Sequence, residues 1–440
     1  MNKFRLLPLI VAVGAALSLP AQAQSLIELY QSARSFDAAY QSAKSQFDAT
    51  IAKAEQARAL ILPTASLGIL ASRVAEQHEP TSLPSFDRAY SNDSANITAS
   101  QPLYRPANWA AYQQGLRQLD LAQVQLDIAD QDLIVRVSQA YFDVLAATDN
   151  LTFVQAQKTA VAEQLASAKR NFEVGTATIT DTREAQAKYD LVIAQEIAAE
   201  NDLRVKKLAL DQLVGKSNAQ PKPLAQPQAL PALLPNDVSI WVKQGEDSSP
   251  GIKQAQIALD VAQLETKKAQ AGHKPTLDLT AQLLNSNNLR GFGLGEQAQQ
   301  ASIGLNFNLP LFAGFATQNR VKETLALEYK ASSDLEGAKR NVEQATRAAF
   351  FGVASGQGQV KALEAAEASS QSALDANKLG YQVGVRINID VLNSQSQLFD
   401  TKAKLAQARY NVLLGGLKLR QANGTLRAED LQQVNALLAP

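Results

Sequence analysis

The fold is decided by Asn171-Phe-Glu-Val-Gly-Thr-Ala-Thr-Ile-Thr-Asp181, a stretch that returns near the other end of the chain as Tyr381-Gln-Val-Gly-Val-Arg-Ile-Asn-Ile-Asp390. Each copy follows a long helical pattern, contains a Val-Gly pair and places an aspartate six residues after the glycine. Glycine adopts backbone angles that other residues resist, and aspartate is favoured at a helix N-terminus. Each copy therefore predicts the tip of a helical hairpin, and the duplication predicts a chain built from two repeats.

The composition excludes several classes of function. The 440 residues include 42 basic and 42 acidic side chains, so no positive excess predicts nucleic-acid binding. The absence of cysteine excludes disulfides, thiolate metal sites, cysteine nucleophiles and a lipid anchor on an N-terminal cysteine. His78 and His273 stand apart from other metal-ligand types. We therefore expect no metal, no other cofactor and no nucleic-acid partner.

The first residues indicate export from the cytoplasm. Lys3 and Arg5 precede a mostly apolar run over residues 6–19, and Ala21-Gln-Ala23 is a small-x-small cleavage motif. We interpret residues 1–23 as a secretory signal peptide, because the apolar run is short for the alternative of a single membrane anchor. The mature chain then either remains in the periplasm or spans an outer membrane as strands.

The first repeat is expected over residues 24–215. It opens with a helical pattern that Pro63 ends. Apolar and polar residues then alternate with a period of two, which predicts strands at about 64–77 and 92–103. A helical pattern follows to the bend at Gly175. Its roughly 65 residues would make a rod of about 100 Å, and a partner helix is expected to return to about residue 214.

The second repeat, expected over residues 236–421, has the same order of patterns. A proline-rich segment, residues 216–235, joins the two repeats and suits neither a helix nor a central strand. The remaining expected segments are a helix from about 252, strands at about 275–286 and 300–311, a rod over 316–379, a tip at Gly384, a return helix over 390–421 and a short polar tail over 422–440.

The four predicted strands suit a membrane, because each has about ten residues with one apolar and one polar face. The alternative is a soluble sheet packed on helices. Open sheet edges cannot face lipid, so four strands cannot span a membrane alone and several chains must share one barrel. Two chains would give eight strands around an interior filled with side chains, whereas three would give twelve strands and begin to leave a passage.

The mature chain resembles the TolC family of outer-membrane export channels over its whole length. The family implies a mainly α fold with β-strands, in which a homotrimer forms a 12-stranded β-barrel continued by a long α-helical coiled-coil barrel. It also places the proline-rich join in an equatorial region. The resemblance rests on Ala140-Tyr-Phe-Asp-Val-Leu145, Phe172-x-Val-Gly175, Gly272-His-Lys-Pro-Thr-Leu-Asp-Leu-Thr280, Asn306-Phe-Asn-Leu-Pro-Leu-Phe312 and Tyr381-x-Val-Gly384.

The same resemblance implies a function and a location. It implies a passive duct without catalysis, in the outer membrane of a Gram-negative bacterium and extending into the periplasm. Such a duct serves an efflux pump or a type I secretion system. Its partners are outer-membrane lipid, a periplasmic adaptor protein and an inner-membrane transporter of the ABC, RND or MFS type. The alternative is a soluble periplasmic coiled-coil adaptor or scaffold, which would explain the hairpins but not the four alternating strands.

Two positions at the second tip are candidates for a pore constriction. Asp390 and Asn393 are one helical turn apart and hence on one face, and in a trimer each position becomes a ring. Three Asp390 carboxylates around a constriction would attract cations. The alternative role for Asp390 is a helix cap, as for Asp181. Members of the family often have a second aspartate at the position of Asn393, so cation binding is expected to be weaker in this chain.

The resemblance also implies an entrance latch and two docking tips. In the family, polar links between neighbouring coils hold the closed state, and adaptor hairpins dock at the tips, here Gly175 and Gly384. The alternative partner for Arg386 is Asp390, four residues further on the same helix. The latch positions that match the family are Gln164, Thr180 and Asp181 on one coil and Tyr381 and Arg386 on the other.

Overall fold

Two helices, two strands and two long helices follow one another in both halves of the computed structural model. It describes residues 24–78, 86–225, 230–288 and 296–439, so the expected signal peptide lies outside the described residues. The first half contains α1 (Leu26–Phe36), α2 (Ala38–Ala59), β1 (Thr64–His78), β2 (Phe86–Tyr104), α3 (Pro106–Glu173) and α4 (Ile179–Val214). The second half contains α5 (Val238–Ser248), α6 (Pro250–Gln270), a 3-10 turn (Ala271–His273), β3 (Thr276–Asn288), β4 (Glu296–Asn308), α7 (Ala316–Gln382), α8 (Asn388–Ala422) and α9 (Asp430–Asn435).

The four strands form one antiparallel sheet in the order β1-β2-β3-β4, in which β1 and β4 are the edges. Leu67 pairs with Ile97, which in turn pairs with Leu283, so their side chains share one face of the sheet. All three are exposed in the single chain, and Ile303 of β4 on the same face is 75% exposed. A sheet with an open apolar face and two unpaired edges requires lipid or further chains to cover it.

Arg105 connects the sheet to helix α3. Its guanidinium group donates hydrogen bonds to both carboxylate oxygens of Asp278, at 2.7 and 2.6 Å, and the Asp278 side chain is buried. The strand register between β2 and β3 shifts between Pro102 and Tyr104, directly before this pair. An irregularity of this kind bends a strand. The ion pair therefore holds the bent end of β2 against β3 where the chain leaves the sheet.

The main hydrophobic core lies midway along the helices and joins both halves of the chain. Tyr141 and Phe142 of α3 are almost fully buried, and Phe142 stacks on Tyr410 of α8 at a centroid distance of 5.7 Å. Helix α1 contributes Leu26 and Leu29 to the same core. This core positions the long parts of α3 and α8, from which the hairpin tips project. Of the helices in the described ranges, none is both long and apolar enough to cross a membrane.

Each half begins with two helices where the sequence pattern predicted one. Asp37 separates α1 from α2, and Ser249 separates α5 from α6, with nearly identical backbone angles of φ −58°, ψ 120° and φ −59°, ψ 124°. Ala38 and Pro250 then begin the following helices. Helix α5 was not predicted, because its 11 residues lie between the proline-rich join and this break.

The C-terminal segment packs into the core, although we expected a short polar tail. Leu431 and Val434 of α9 are buried. Leu438 forms a bridge with Leu224 of the proline-rich join, and the Ala225 amide donates to the Leu437 carbonyl at 2.8 Å. The prediction was wrong because these leucines are spaced among polar residues, so the local composition concealed an amphipathic turn.

Replacing Asp37 by Asn should lower the stability of the α1–α3 packing by about 1 kcal/mol at neutral pH. The buried Asp37 carboxylate accepts hydrogen bonds from Arg136 at 2.9 and 3.0 Å and caps α2 through the Tyr40 amide. Asparagine caps helices as well as aspartate does, so the substitution removes mainly the ion pair. The Arg136 side chain is 35% exposed, and solvent screening keeps the effect small.

The pH dependence of this effect has a defined sign. The hydrogen bonds from Arg136 lower the pKa of Asp37 below its ordinary value. The ion pair therefore stabilises the fold above the unfolded-state pKa and is lost as pH falls through the lowered folded-state pKa. Thermal unfolding followed by circular dichroism should show the two proteins converging below about pH 4. Asp132→Asn is the control, because exposed Asp132 pairs with Arg136 on its own helix and should have a smaller effect. A gap between wild type and Asp37→Asn that persists at low pH would contradict this assignment.

Candidate functional site at the hairpin tips

Two glycines in left-handed backbone conformations form the tips. Gly175 has φ +77° and Gly384 has φ +79°, values that residues with a Cβ rarely adopt. The first tip closes with the Thr176 amide donating to the Asn171 carbonyl at 2.8 Å, and the second with Val385 donating to Gly380 at 2.9 Å. At neither glycine would an added Cβ have a heavy atom within 4 Å. Both tips are therefore open to a partner.

The tips expose apolar side chains instead of the polar ones typical of turns. Val383, Val385 and Ile387 flank Gly384 and are 66%, 75% and 60% exposed. Val174 flanks Gly175 and is exposed to the same degree. Exposed apolar clusters of this kind on an ordered turn indicate a protein contact surface.

The two tip aspartates have different local roles, although the sequence repeats place them at equivalent positions. Thr178 caps α4, and the Asp181 carboxylate accepts the Thr178 amide at 2.9 Å in a capping box. Asp181 is therefore the third residue of α4, where we expected the cap itself. Ile387 precedes α8 and has no side chain that could cap, and among the described residues no backbone amide donates to the Asp390 carboxylate. Asp390 remains available for another role.

The structure places Asp390 in the first turn of α8, with Asn393 one turn further. The Asp390 side chain is 34% exposed, and Asn393 is exposed. The Arg386 guanidinium lies 3.7 Å from the Asp390 carboxylate. This is the pairing within one helix that we gave as the alternative to a latch role for Arg386. The two candidate pore positions thus share an accessible face of the helix, and a ring of Asp390 in a trimer stays a prediction.

A buried asparagine links the two hairpins. Gln164 of α3 donates a hydrogen bond from its amide to the Asn388 side-chain oxygen. The Asn388 amide donates to the Asp181 carbonyl at 3.4 Å, and Asn388 is completely buried. Asn388 is therefore the polar centre of the contact between α8 and the α3–α4 hairpin.

A second link lies nearer the tips. The Asn171 amide donates to the Tyr381 hydroxyl at 3.2 Å, which joins the end of α3 to the end of α7. Among the described residues of one chain no bond joins Arg386 to Asp181, whose carboxylate binds Thr178. Gln164 and Tyr381 thus link the hairpins within one chain, whereas a role for Thr180, which is exposed, and for Arg386 in the latch stays a prediction.

Sequence reasoning missed Asn171 and Asn388 as linking residues. One signal was present: in the aligned repeats Asn388 takes the position of Ile179, so a polar residue replaces an exposed apolar one. The apolar part of the same contact includes Leu392, which packs with Val161 and Leu165. Among the described residues, no cluster of histidine, aspartate and glutamate is arranged to bind a metal ion.

Two segments of the chain, residues 29–216 and 241–425, match the sequence profile described as "Outer membrane efflux protein". Outer membrane protein TolC from Vibrio cholerae is 34% identical over 438 residues, which cover 98% of this chain and 98% of that protein. The chain belongs to the outer membrane efflux protein family. The predicted membership of the TolC family is thereby confirmed.

A further relative and a solved structure are similar to this chain. Proteases secretion protein PrtF from Dickeya chrysanthemi is 29% identical over 425 residues, covering 94% of this chain and 91% of that protein. The crystal structure of the CmeC outer membrane channel from Campylobacter jejuni has a TM-score of 0.79 at 16% identity, covering 94% of this chain and 90% of that one. The predicted fold class, mainly α with four β-strands, is confirmed.

Family membership also settles the compartment. The protein is an outer-membrane channel of a Gram-negative bacterium, and its helices extend into the periplasm. The alternative of a soluble periplasmic coiled-coil adaptor is thereby excluded. The exposed apolar face of the sheet is the surface that such a location requires.

Proposed function

We propose that three copies of this chain form the exit duct of a tripartite efflux pump or a type I secretion system. The observation that supports this most directly is the sheet, whose apolar face is exposed and whose edges β1 and β4 are unpaired in one chain. Pairing β4 of one chain with β1 of the next would remove every edge and give twelve strands around a passage.

The long helices supply the periplasmic part of the duct. Helix α3 has 68 residues and α7 has 67, so each spans about 100 Å at 1.5 Å per residue. Helix α3 begins two residues after β2 ends at Tyr104, and α7 begins at Ala316, eight residues after β4 ends at Asn308. A duct built in this way works passively and has no catalytic role, with the driving force supplied by an inner-membrane transporter of the ABC, RND or MFS type.

The exposed apolar tips around Gly175 and Gly384 are the surface on which we expect a periplasmic adaptor to dock. The entrance would be closed by links between hairpins, formed by Gln164 and Tyr381 within a chain and by Thr180, Asp181 and Arg386 between chains. Polar links suit this role, because hydrogen bonds and ion pairs that water or a partner can replace contribute little net stability individually.

Single-channel recording in a planar bilayer tests both the duct and the Asp390 ring. The wild-type protein, purified from outer membranes, should form small, long-lived channels that multivalent cations block from the side of the helical end. Asp390→Ala should weaken this block at least about tenfold, because the carboxylate ring that attracts the cation is absent. The family resemblance and the uncapped, accessible carboxylate motivate this expectation.

Asp400→Ala is the matched control. Asp400 is exposed on the same helix and pairs with Lys404 at 2.7 Å, ten residues from Asp390. Block in this variant should equal block in the wild type. Equal loss of block in both variants would point to general surface charge instead of a ring, and a protein without conductance would contradict the duct itself.

A further inference from the structure

A groove of about 540 Å³ lies where the sheet meets the helices. The end of β2 and the start of α3 form one side of it, and the end of α6 forms the other. Its apolar side includes Leu103, Tyr104 and Trp109, all about half exposed. Aromatic side chains at the end of membrane strands favour the boundary between hydrocarbon and headgroups, where one end of the ring is apolar and the other wet.

The groove is continuous with the apolar face of the sheet. Tyr104 pairs with Leu277, and Leu277 pairs with Phe307, so these three residues form the last apolar row before the helices begin. Phe307 is 63% exposed. An acyl chain that packs on this apolar face would therefore reach the groove where the headgroup of the same lipid begins.

The polar side of the groove is basic. It contains Arg105, Lys267 and Lys274, and the lining residues within the described ranges include no acidic side chain. The Arg105 charge is already matched by Asp278. Lys267 and Lys274 are exposed, and neither ammonium group forms an ion pair with a described residue. Two positive charges thus remain beside the apolar and aromatic surface.

The internal repeat shows that this combination is not a general property of the junction. Aligning Pro63 with Pro275 places Glu55 at the position of Lys267 and Leu62 at that of Lys274. Aligning Pro102 with Pro310 places Thr317 at the position of Trp109. The equivalent positions of the other repeat therefore have neither the lysine pair nor the tryptophan.

We propose that this groove binds the phosphate headgroup of a phospholipid in the leaflet that faces the helices. The lysine ammonium groups would pair with the phosphodiester, and Trp109 and Tyr104 would pack beside the glycerol and the first part of the acyl chains. The proposal depends on one part of the proposed function, the placement of the strands in a membrane, and not on conduction.

Quenching of Trp109 fluorescence tests the proposal, since the chain has only two tryptophans. Trp241 is buried against Phe350, which lies 34 residues beyond the start of α7, and its ring nitrogen donates to the Pro235 carbonyl. Trimers in neutral detergent would be titrated with phosphatidylglycerol that has bromine near the carboxyl end of its acyl chains. We expect saturable quenching in the wild type and none in Trp109→Phe, where only Trp241 fluoresces.

The lysine variants identify the headgroup contact. In the double variant Lys267→Gln/Lys274→Gln, the lipid concentration that gives half-maximal quenching should rise about fivefold for each lysine removed. This factor corresponds to about 1 kcal/mol per charge. Lys253→Gln, which changes an exposed lysine near the start of α6, should behave like the wild type. Equal quenching of the double variant and the wild type would overturn the proposal, as would equal quenching by a brominated diacylglycerol, which lacks the phosphate.

Conductance measured on the same preparations separates this proposal from the proposed function. Conducting trimers without lysine-dependent quenching would overturn the headgroup site and leave the duct intact. Lysine-dependent quenching in a protein that does not conduct would support the site and contradict the duct.

Discussion

Gly384→Trp should abolish export while the chain still assembles into trimers in the outer membrane. The tip has open space around Gly384, so an indole ring would not disturb the fold by contact with the described residues. It would instead project from a surface formed by Val383, Val385 and Ile387, where we expect the adaptor to dock. A bulky side chain there would hold the two backbones apart. The measurement is export or drug resistance in cells that lack their own copy of the gene, beside trimer yield from outer membranes.

Gly384→Ala is the matched control for backbone strain. At φ +79° any residue with a Cβ costs roughly 1–2 kcal/mol, and alanine and tryptophan share that cost. Alanine lacks the bulk, so its export should stay close to that of the wild type. Normal export by Gly384→Trp would refute docking at this tip. Loss of export by both variants would show that the turn conformation is required, independently of bulk.

The strands and rods were predictable because their periodicity is strong and uninterrupted. Alternation from Thr64 onwards defines β1, and the absence of proline after Pro106, the first residue of α3, allows a single helix of 68 residues. Strand β2 begins at Phe86, six residues before the expected start, and β4 ends at Asn308, three residues before the expected end. Pairing extends β2, since residues 86–92 follow the register of β1 even though four of these seven residues are polar.

The candidate site was less predictable because its residues act through contacts between distant segments. The repeats suggested equivalent roles for Asp181 and Asp390, but the preceding residue decides, because Thr178 can form a capping box and Ile387 cannot. The replacement of Ile179 by Asn388 between the repeats marks the position but not its partner, because Gln164 lies 224 residues away. The groove at Trp109 likewise combines residues from both repeats, so neither repeat alone predicts it.

The entrance should open when the links between the hairpins are removed. Asn388→Ala combined with Tyr381→Phe deletes both the Gln164–Asn388 and the Asn171–Tyr381 bonds. Because the Gln164 amide is half-buried and faces the completely buried Asn388, the loss of Asn388 removes its partner in the closed arrangement, at a cost of about 1–3 kcal/mol. If the hairpins separate on opening, water can form a hydrogen bond with the Gln164 amide in the open state. A difference of about 2 kcal/mol corresponds to a roughly thirtyfold larger open population.

Single-channel conductance again provides the measurement, and we expect several-fold larger or more frequent open levels in the double variant. Thr159→Ala is the control, because the exposed Thr159 hydroxyl donates to Gln155 within its own helix and links no second element. Arg386→Ser alone should have a smaller effect on conductance, since Arg386 is 58% exposed and its pairing with Asp390 lies within one helix. A larger effect of Arg386→Ser than of Asn388→Ala would instead mean that the closed state is held mainly by links between chains. Unchanged conductance in the double variant would contradict the assignment of Asn388 and Tyr381 to the closed state.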